Sequence, residues 1–525
     1  MIREQPVTAV ENALHRRWRL LIPAYVLLAI IGLIGIIGTV LGLALLWQLA
    51  QNRTPYYADI VEEFKYGSIG AEGPHSGIPY RIWRALPALF PEYFGGLQDY
   101  SAFGFLYEND ANGRQRDLPI GISRRTYRNV DVVWFNCATC HTGTVSTTMR
   151  DAGGQLSTGR HIIPGMPSNN LNLERFIQFL LNAGADERLS PDKLIPAINQ
   201  TGPRLILLEE LIYRWYIIPT LRDGLLERRT RLFPLFRQQP PWGPGRVDTF
   251  NPYKLIQANM PLASLQKSEL IGIADFPSIF NQGPREGMHL HWDGNNTSLA
   301  ERNLSAAMGA GVTPDSADFA TINRVANWLR TLRPPPSPYH PDPAAVTRGR
   351  AIFTAQCRAC HGYQDMSGYV FTGETIGQVE PNSKLGVDPH RLDSYTDQFR
   401  QYQLANFFAG TPHQFKYFIK TDGYGNLPLD GLWLRAPYLH NGSVPTLADL
   451  LKPPDKRPAA FVRGSDTLDP DRGGFVAPQC VPPSAPTEPF CYETSKPGNG
   501  NGGHLYGIDL PAEQKSNLLA YLLTF

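Results

Sequence analysis

Two short segments bring sulfur and imidazole together: Cys137, Cys140 and His141 in "NCATCHTG", and Cys357, Cys360 and His361 in "CRACHG". The chain holds only 6 cysteines, so these repeats take most of them. On a turn of helix the two thiols of a Cys-x-x-Cys point the same way. They can form thioethers to the two vinyl groups of one haem, and the next residue then sets an imidazole beneath the iron. Other chemistries share the spacing. A zinc site could combine both pairs, but it would leave the adjacent histidines as coincidences. A thiol–disulfide couple belongs at the end of a strand in a βαβ pattern, which neither pair has. A structural disulfide makes poor use of this spacing. The pattern points to two covalently bound haem c groups, one at each motif, with His141 and His361 on the irons.

The reactivity of each haem depends on its far side: an open position binds oxygen or peroxide, whereas a second protein ligand leaves mainly electron transfer. The chain has 12 histidines. His504, in the Gly-rich "GNGGHLYGIDL" just before the C-terminal helix, stands on a loop flexible enough to swing onto the second haem. His440 in "WLRAPYLHNGSVPTL" comes next. His289 and His291 alternate along an extended segment, so only one of them can face a haem. Met166, Met288 and Met366 are weaker choices, since methionine is an ordinary core filler. Cys480 and Cys491 lie in a Pro-rich loop and suit a disulfide, closing a short loop for about 3 kcal/mol.

The elements that must position these groups begin with an anchor. From Leu20 to Asn52 no residue is charged. The apolar core, about 28 residues at 1.5 Å each, spans a bilayer with room for tilt. It is too long for the h-region of a cleavable signal peptide. Arg16, Arg17 and Arg19 precede it, which by the positive-inside rule keeps the tail cytoplasmic and puts the bulk of the chain in the periplasm of a bacterial inner-membrane, single-pass protein. Net charge is +2 and apolar content 42%, so nothing marks a nucleic-acid binder. Helical periodicity appears in "NLERFIQFLLNAGADERL", "RLILLEELIYRWYIIPTLRDGLLERR", "DFATINRVANWLRTL" and "PAEQKSNLLAYLLTF", and implies core-facing helices. In "AAVTRGRAIFTAQCRACHG" a helix turns Gly349 and Phe353 inward. The Pro-rich "RPPPSPYHPDP" breaks the chain in two. The expected organisation is a cytoplasmic tail (1–19), a transmembrane anchor (20–50), a first cytochrome c-like domain with loop extensions (51–332), a linker (333–343) and a second such domain (344–525). The expected class is mainly α with long loops.

"LRAPYLHNGSVPTL" (434–447) and "HWDGNNTSLAERN" (291–303) resemble signatures of the dihaem cytochrome c peroxidase superfamily. "KYGSIG", "NCATCHTG", "CRACHG" and "GHLYG" together resemble its rubber-oxygenase-like dihaem branch. The resemblance covers most of residues 55–525. It implies two close haem domains, a second ligand from His504 on the C-terminal haem, a reactive N-terminal haem on His141 and an electron-relaying aromatic at Trp292. An inter-domain Ca²⁺ site, common in related peroxidases, is a further candidate cofactor whose retention the sequence leaves open. Glu286, beside the His289 segment, is the acid–base group at hand. Two functions are in play. One is a periplasmic haem oxidoreductase using peroxide or oxygen; the other is an electron-transfer cytochrome serving a redox partner protein.

Overall fold

The computed structural model describes residues 8–73, 76–150, 156–481 and 489–525. The apolar run belongs to one helix, Thr8–Leu49, within which Tyr25–Ala44 is long and apolar enough to cross a membrane and is uncovered by protein. Helix therefore starts well before residue 20, because "ENALHRR" is rich in good helix formers. Residues 1–7 of the expected tail lie outside the described residues. This helix, the residues following it to Arg53, and Thr126–Asp131 make one compact unit; Thr54–Arg125 with Val132–Phe525 make the other.

The second unit mixes helix and strand, which corrects the mainly-α expectation. Sheets along the chain are small, one of three strands and five of two among the described residues. The longest pair starts directly after His141: Thr142–Arg150 runs antiparallel to Leu156–Pro164, from Thr142 opposite Pro164 to Arg150 opposite Leu156. "TGTVSTTMR" is dense in β-branched residues, and alternation sends Val145 and Met149 into the core while Ser146 and Thr148 point away. A shorter pair, Tyr363–Asp365 with Gly368–Val370, follows His361 in the same way.

Phe319–Leu329, Leu173–Ala185 and Ala512–Leu522 are helices where periodicity places them. The prolines of 333–343 hold off regular structure until Pro343, where Asp342 caps the helix Pro343–Gln356 by accepting from the Ala345 amide at 3.0 Å. The Trp433 indole donates to the Pro335 carbonyl at 3.2 Å and fastens this segment.

Two contacts decide where the second motif sits. The helix Pro343–Gln356 crosses Ala512–Leu522 so closely that a Cβ on Gly349 would lie 1.9 Å from the Asn517 carbonyl oxygen. One turn on, buried Phe353 packs against Tyr521 with ring centroids 5.2 Å apart. Cys357 is the next residue after this helix, so the crossing fixes the start of the motif. The surrounding core joins Phe353, Trp433, Leu434, Tyr521 and Phe525 to Val145, Ile163, Met166 and Phe280 from the earlier part of the chain.

One helix departs from expectation. Leu207–Ile212 passes through a π turn, Tyr213–Ile217, into Ile218–Phe236. Pro219 has no N–H to offer the carbonyl four residues back. The Ile218 amide reaches the Tyr213 carbonyl instead, and the ladder widens by one residue. The C-terminal half packs inward through Leu232 and Leu235 against Leu181 and Trp242. In the first half Leu207, Leu211 and Trp215 face outward. That overturns the core-facing reading there.

Candidate haem-binding sites

At the first motif Asn136 does the local positioning. Its side chain accepts from the Ala138 amide at 3.0 Å and donates to the carbonyls of Lys65 and Gly67, tying the Cys137–Thr139 turn to "KYGSIG". The Thr139 hydroxyl donates to the Gly121 carbonyl at 2.6 Å. His141 is oriented by a contact between Nδ1 and the Pro277 carbonyl at 2.9 Å. Since a carbonyl only accepts, Nδ1 carries the proton and Nε2 keeps its lone pair.

The second motif repeats this chemistry on a helical turn, Arg358–His361. His361 Nδ1 meets the Leu427 carbonyl at 2.8 Å, so its Nε2 is also bare. The Thr375 hydroxyl lies 3.3 Å from Cys360 Sγ, and the Tyr369 hydroxyl donates to the His361 carbonyl.

His504 faces His361, with ring centroids 6.3 Å apart. An imidazole nitrogen sits about 2 Å from a bound metal, so two rings sharing one iron have centroids on the order of 6 Å apart. The loop bearing His504 is pinned, which corrects the expectation that it swings. Gly503 has φ +73°, and a Cβ there would fall 2.4 Å from the Gly386 carbonyl carbon. The His504 amide donates to the Leu385 carbonyl at 2.9 Å, and Arg457 holds the carbonyl of Gly503 at 3.0 Å. His504 Nδ1 is buried without a hydrogen-bond partner. Its ring orientation is therefore left to packing and to whatever Nε2 binds.

The electrostatics separate the possible chemistries. Burial pushes Cys137 up to about 11 and both Cys140 and Cys357 up to about 12. Redox dithiols need the opposite, a thiol lowered toward thiolate. All four motif cysteines are free. Among the described residues no three His, Cys, Asp or Glu side chains group closely enough to hold a metal ion, so the two pairs do not merge into a zinc site. The same fact leaves the expected calcium without an acidic cluster. Burial also holds His141 down at about 3 and His504 at about 4, and lowers His361. Free thiols, each pair beside a neutral imidazole with a fixed tautomer, fit thioether attachment and iron ligation.

The other expected residues are dispersed. His440 is buried, stacked on Tyr424 at 4.3 Å, with Nε2 3.2 Å from the Tyr424 hydroxyl; the structure groups it with neither motif. Glu286 is exposed and paired with Arg330 at 2.7 Å, on the rim of an open cleft of about 650 Å³ lined also by Met288 and His289. Met166 is core and Met366 fully exposed. Trp292 donates to the Asp275 carbonyl at 2.8 Å and packs in a cluster with Leu385, whose carbonyl receives the His504 amide. Cys480 and Cys491 are joined by a disulfide.

His289 and His291 flank a single bridge from Leu290 to Asn296 rather than lying on an extended strand, and His291 itself is on a bend, where its own positive φ and that of Gly294 turn the chain. His291 Nδ1 meets the Asn295 side-chain oxygen at 2.6 Å. Burial, and then the charge of Arg302, lower it to about 4. Arg302 acts on His141 and Cys137 as well, and among the described residues it has no carboxylate partner. It was not legible as a site residue, since a lone arginine in a helix has no distinguishing spacing. The charge of Arg302 is thus felt both at the first motif and at the neutral imidazole of His291. Near the second, the nearly inaccessible Asp430 pairs with both Arg285 and Arg435.

Comparison with known proteins adds partial likenesses. The family described as RoxA-like, cytochrome c-like matches residues 423–462, and a Y4iN-like domain matches residues 65–141. The first stretch includes Leu427, Asp430 and Arg435; the second ends at His141. The uncharacterized protein y4iM of Sinorhizobium fredii (strain NBRC 101917 / NGR234) is 32% identical over 259 residues, covering 44% of this chain and 57% of that protein. The uncharacterized protein y4iJ of the same organism is 26% identical over 257 residues, covering 38% and 42%. The chain thus spans about half the length of the curated relatives it matches.

Proposed function

We propose that this chain is a membrane-anchored, periplasmic dihaem c-type cytochrome working as an oxidoreductase, with cytochrome units at 51–332 and 344–525. The carrying observation is the opposition of His361 and His504 at 6.3 Å; among the described residues no histidine ring stands so close to His141. Haem, where bound, would supply a redox-active iron at each motif for electron transfer or for reaction with a small oxidant. Cys137, Cys140 and His141 would hold one group, and Cys357, Cys360, His361 and His504 the other. His291 Nε2 is the acceptor at hand for a proton from a ligand arriving on the His141 side. Arg302 is the cation that would offset negative charge there. Trp292, packed in a cluster with Leu385 beside the His504 loop, would be the aromatic that passes electrons between the groups. Periplasmic placement is supported by the arginines before the apolar helix and by the disulfide, which suits an oxidising compartment.

Electron paramagnetic resonance of the oxidised protein tests this. One high-spin signal that responds to cyanide and one low-spin signal that does not are expected. His504→Gly should turn the low-spin signal high-spin. Two low-spin signals indifferent to cyanide would instead make the chain an electron carrier. His291→Leu is expected to slow cyanide uptake roughly tenfold or more; an unchanged rate removes His291 from the site.

A further inference from the structure

The outward face of the helix that begins at Leu207 has no use in the haem chemistry. Leu207 and Trp215 are each 76% exposed, Ile206 is 65% and Tyr216 63%, and Leu208 and Leu211 are close to half exposed. Positions 207, 211 and 215 lie one above another along a helix. The π turn keeps Trp215 and Tyr216 together on the outer side while Tyr213 and Ile217 turn in. Together these side chains expose roughly 700 Å² of apolar surface, above the few hundred Å² typical of the largest patch on a monomer.

The charges nearby are arranged to leave this face uncharged. Glu209 pairs with Arg81 at 3.2 Å and Glu210 with Arg214 at 3.4 Å, while Arg204 stands exposed at the stripe's start. The stripe thus has Arg204 at its start and Arg214 within it, with Arg81 against Glu209 alongside. Leucines beside Trp and Tyr, bordered by arginine, match the chemistry of a bilayer interface: acyl chains for the aliphatic groups, headgroup depth for the aromatic rings, anionic phosphates for the cations.

We infer that residues 204–217 form a second membrane contact, an interfacial helix face that docks on the bilayer to which the chain is tethered. This rests on the anchoring proposed above for the Tyr25–Ala44 helix. A tether supplies high effective concentration, so a face of modest intrinsic affinity becomes occupied. Docking would hold the periplasmic unit in one orientation to the lipid surface. Redox partners embedded in that membrane would then meet a fixed face of the protein.

Photolabelling of the full chain tests it. The haem-loaded protein is reconstituted in vesicles of zwitterionic and anionic phospholipid with a diazirine on the acyl chain, irradiated, digested and mapped by mass spectrometry. Lipid adducts are expected in the Tyr25–Ala44 peptide and in the 204–217 peptide, the latter about tenfold above the exposed turn at Met366. Combined Leu207→Glu, Leu211→Glu and Trp215→Glu should bring the second site to that background while the anchor stays labelled. Adducts in the anchor alone overturn the docking face and leave the anchor standing. No adducts in either overturn the anchoring and the docking with it. Cross-links between two copies of the 204–217 peptide, without lipid adducts, would assign the face to self-association and overturn the proposal.

Discussion

Replacing Cys357 and Cys360 together by alanine is expected to leave about half the covalent haem of the wild type, and to abolish the low-spin resonance assigned to His361 and His504. The effect is all-or-none because attachment requires the thioethers. Noncovalent haem held only by two imidazoles is lost on denaturation, so intact-mass spectrometry under denaturing conditions reads the bond directly. The companion Cys137→Ala/Cys140→Ala chain should lose the other half and the cyanide-responsive signal. Cys480→Ser is the control, since it breaks the disulfide and should leave haem content unchanged. If either double variant kept the full haem content, the assignment of that motif would be wrong. The raised thiol pKa values bear on this prediction. Burial raises Cys137 to about 11 and Cys140 and Cys357 to about 12, which favours the less nucleophilic thiol form once the chain has folded. Attachment is therefore expected before or during folding, and a folded haem-free chain should take up little haem in vitro.

The proposed attachment residues stand out in the sequence because covalent chemistry would impose a spacing: Cys137, Cys140 and His141 fall within one turn, and the pattern repeats at 357–361. His504 was legible for a weaker reason, a histidine between glycines ahead of a terminal helix. The loop's pinning was not, because it depends on Arg457, nearly fifty residues earlier in the chain. His291 and Arg302 show the same limit. That one arginine acts on both His141 and His291 depends on the tertiary fold, and the local alternation of "GMHLHWDG" suggested a strand where Gly294 makes a bend. The missed strand pair after His141 is different in kind. "TGTVSTTMR" and "LSTGRHIIP", on either side of a Gly-containing stretch of sequence, carry a strand-pair signal of β-branched alternation, which the neighbouring helical motif overshadowed. The outward face at 206–216 was misread because periodicity shows that a helix has an apolar side, never what that side meets.

Gly349→Ala is expected to destabilise the protein by about 2–3 kcal/mol, the cost of overpacking a closed contact. Its sign runs against helix propensity, which favours Ala over Gly by about 0.5–1 kcal/mol in an exposed helix interior. Here the added Cβ would lie 1.9 Å from the Asn517 carbonyl oxygen and 2.9 Å from the Tyr521 Cβ. The obstacle is backbone, so no rotamer change relieves it and the two helices must part. Gly224→Ala in Ile218–Phe236 is the matched control, where the nearest atom is the flexible end of Arg228 at 3.2 Å; that substitution should be neutral or stabilising. Guanidinium unfolding of both variants gives the comparison, and a Gly349→Ala chain as stable as wild type would rule out so close a crossing. The consequence reaches the site as well. The helix bearing Gly349 ends one residue before Cys357, while His361 is held separately by Leu427 and His504 by the 385–387 segment. Parting the helices moves the thioether end of the motif relative to both imidazoles. Gly349→Val, the larger wedge, is therefore expected to lose low-spin intensity along with stability, whereas a lesion remote from this crossing would lower stability alone.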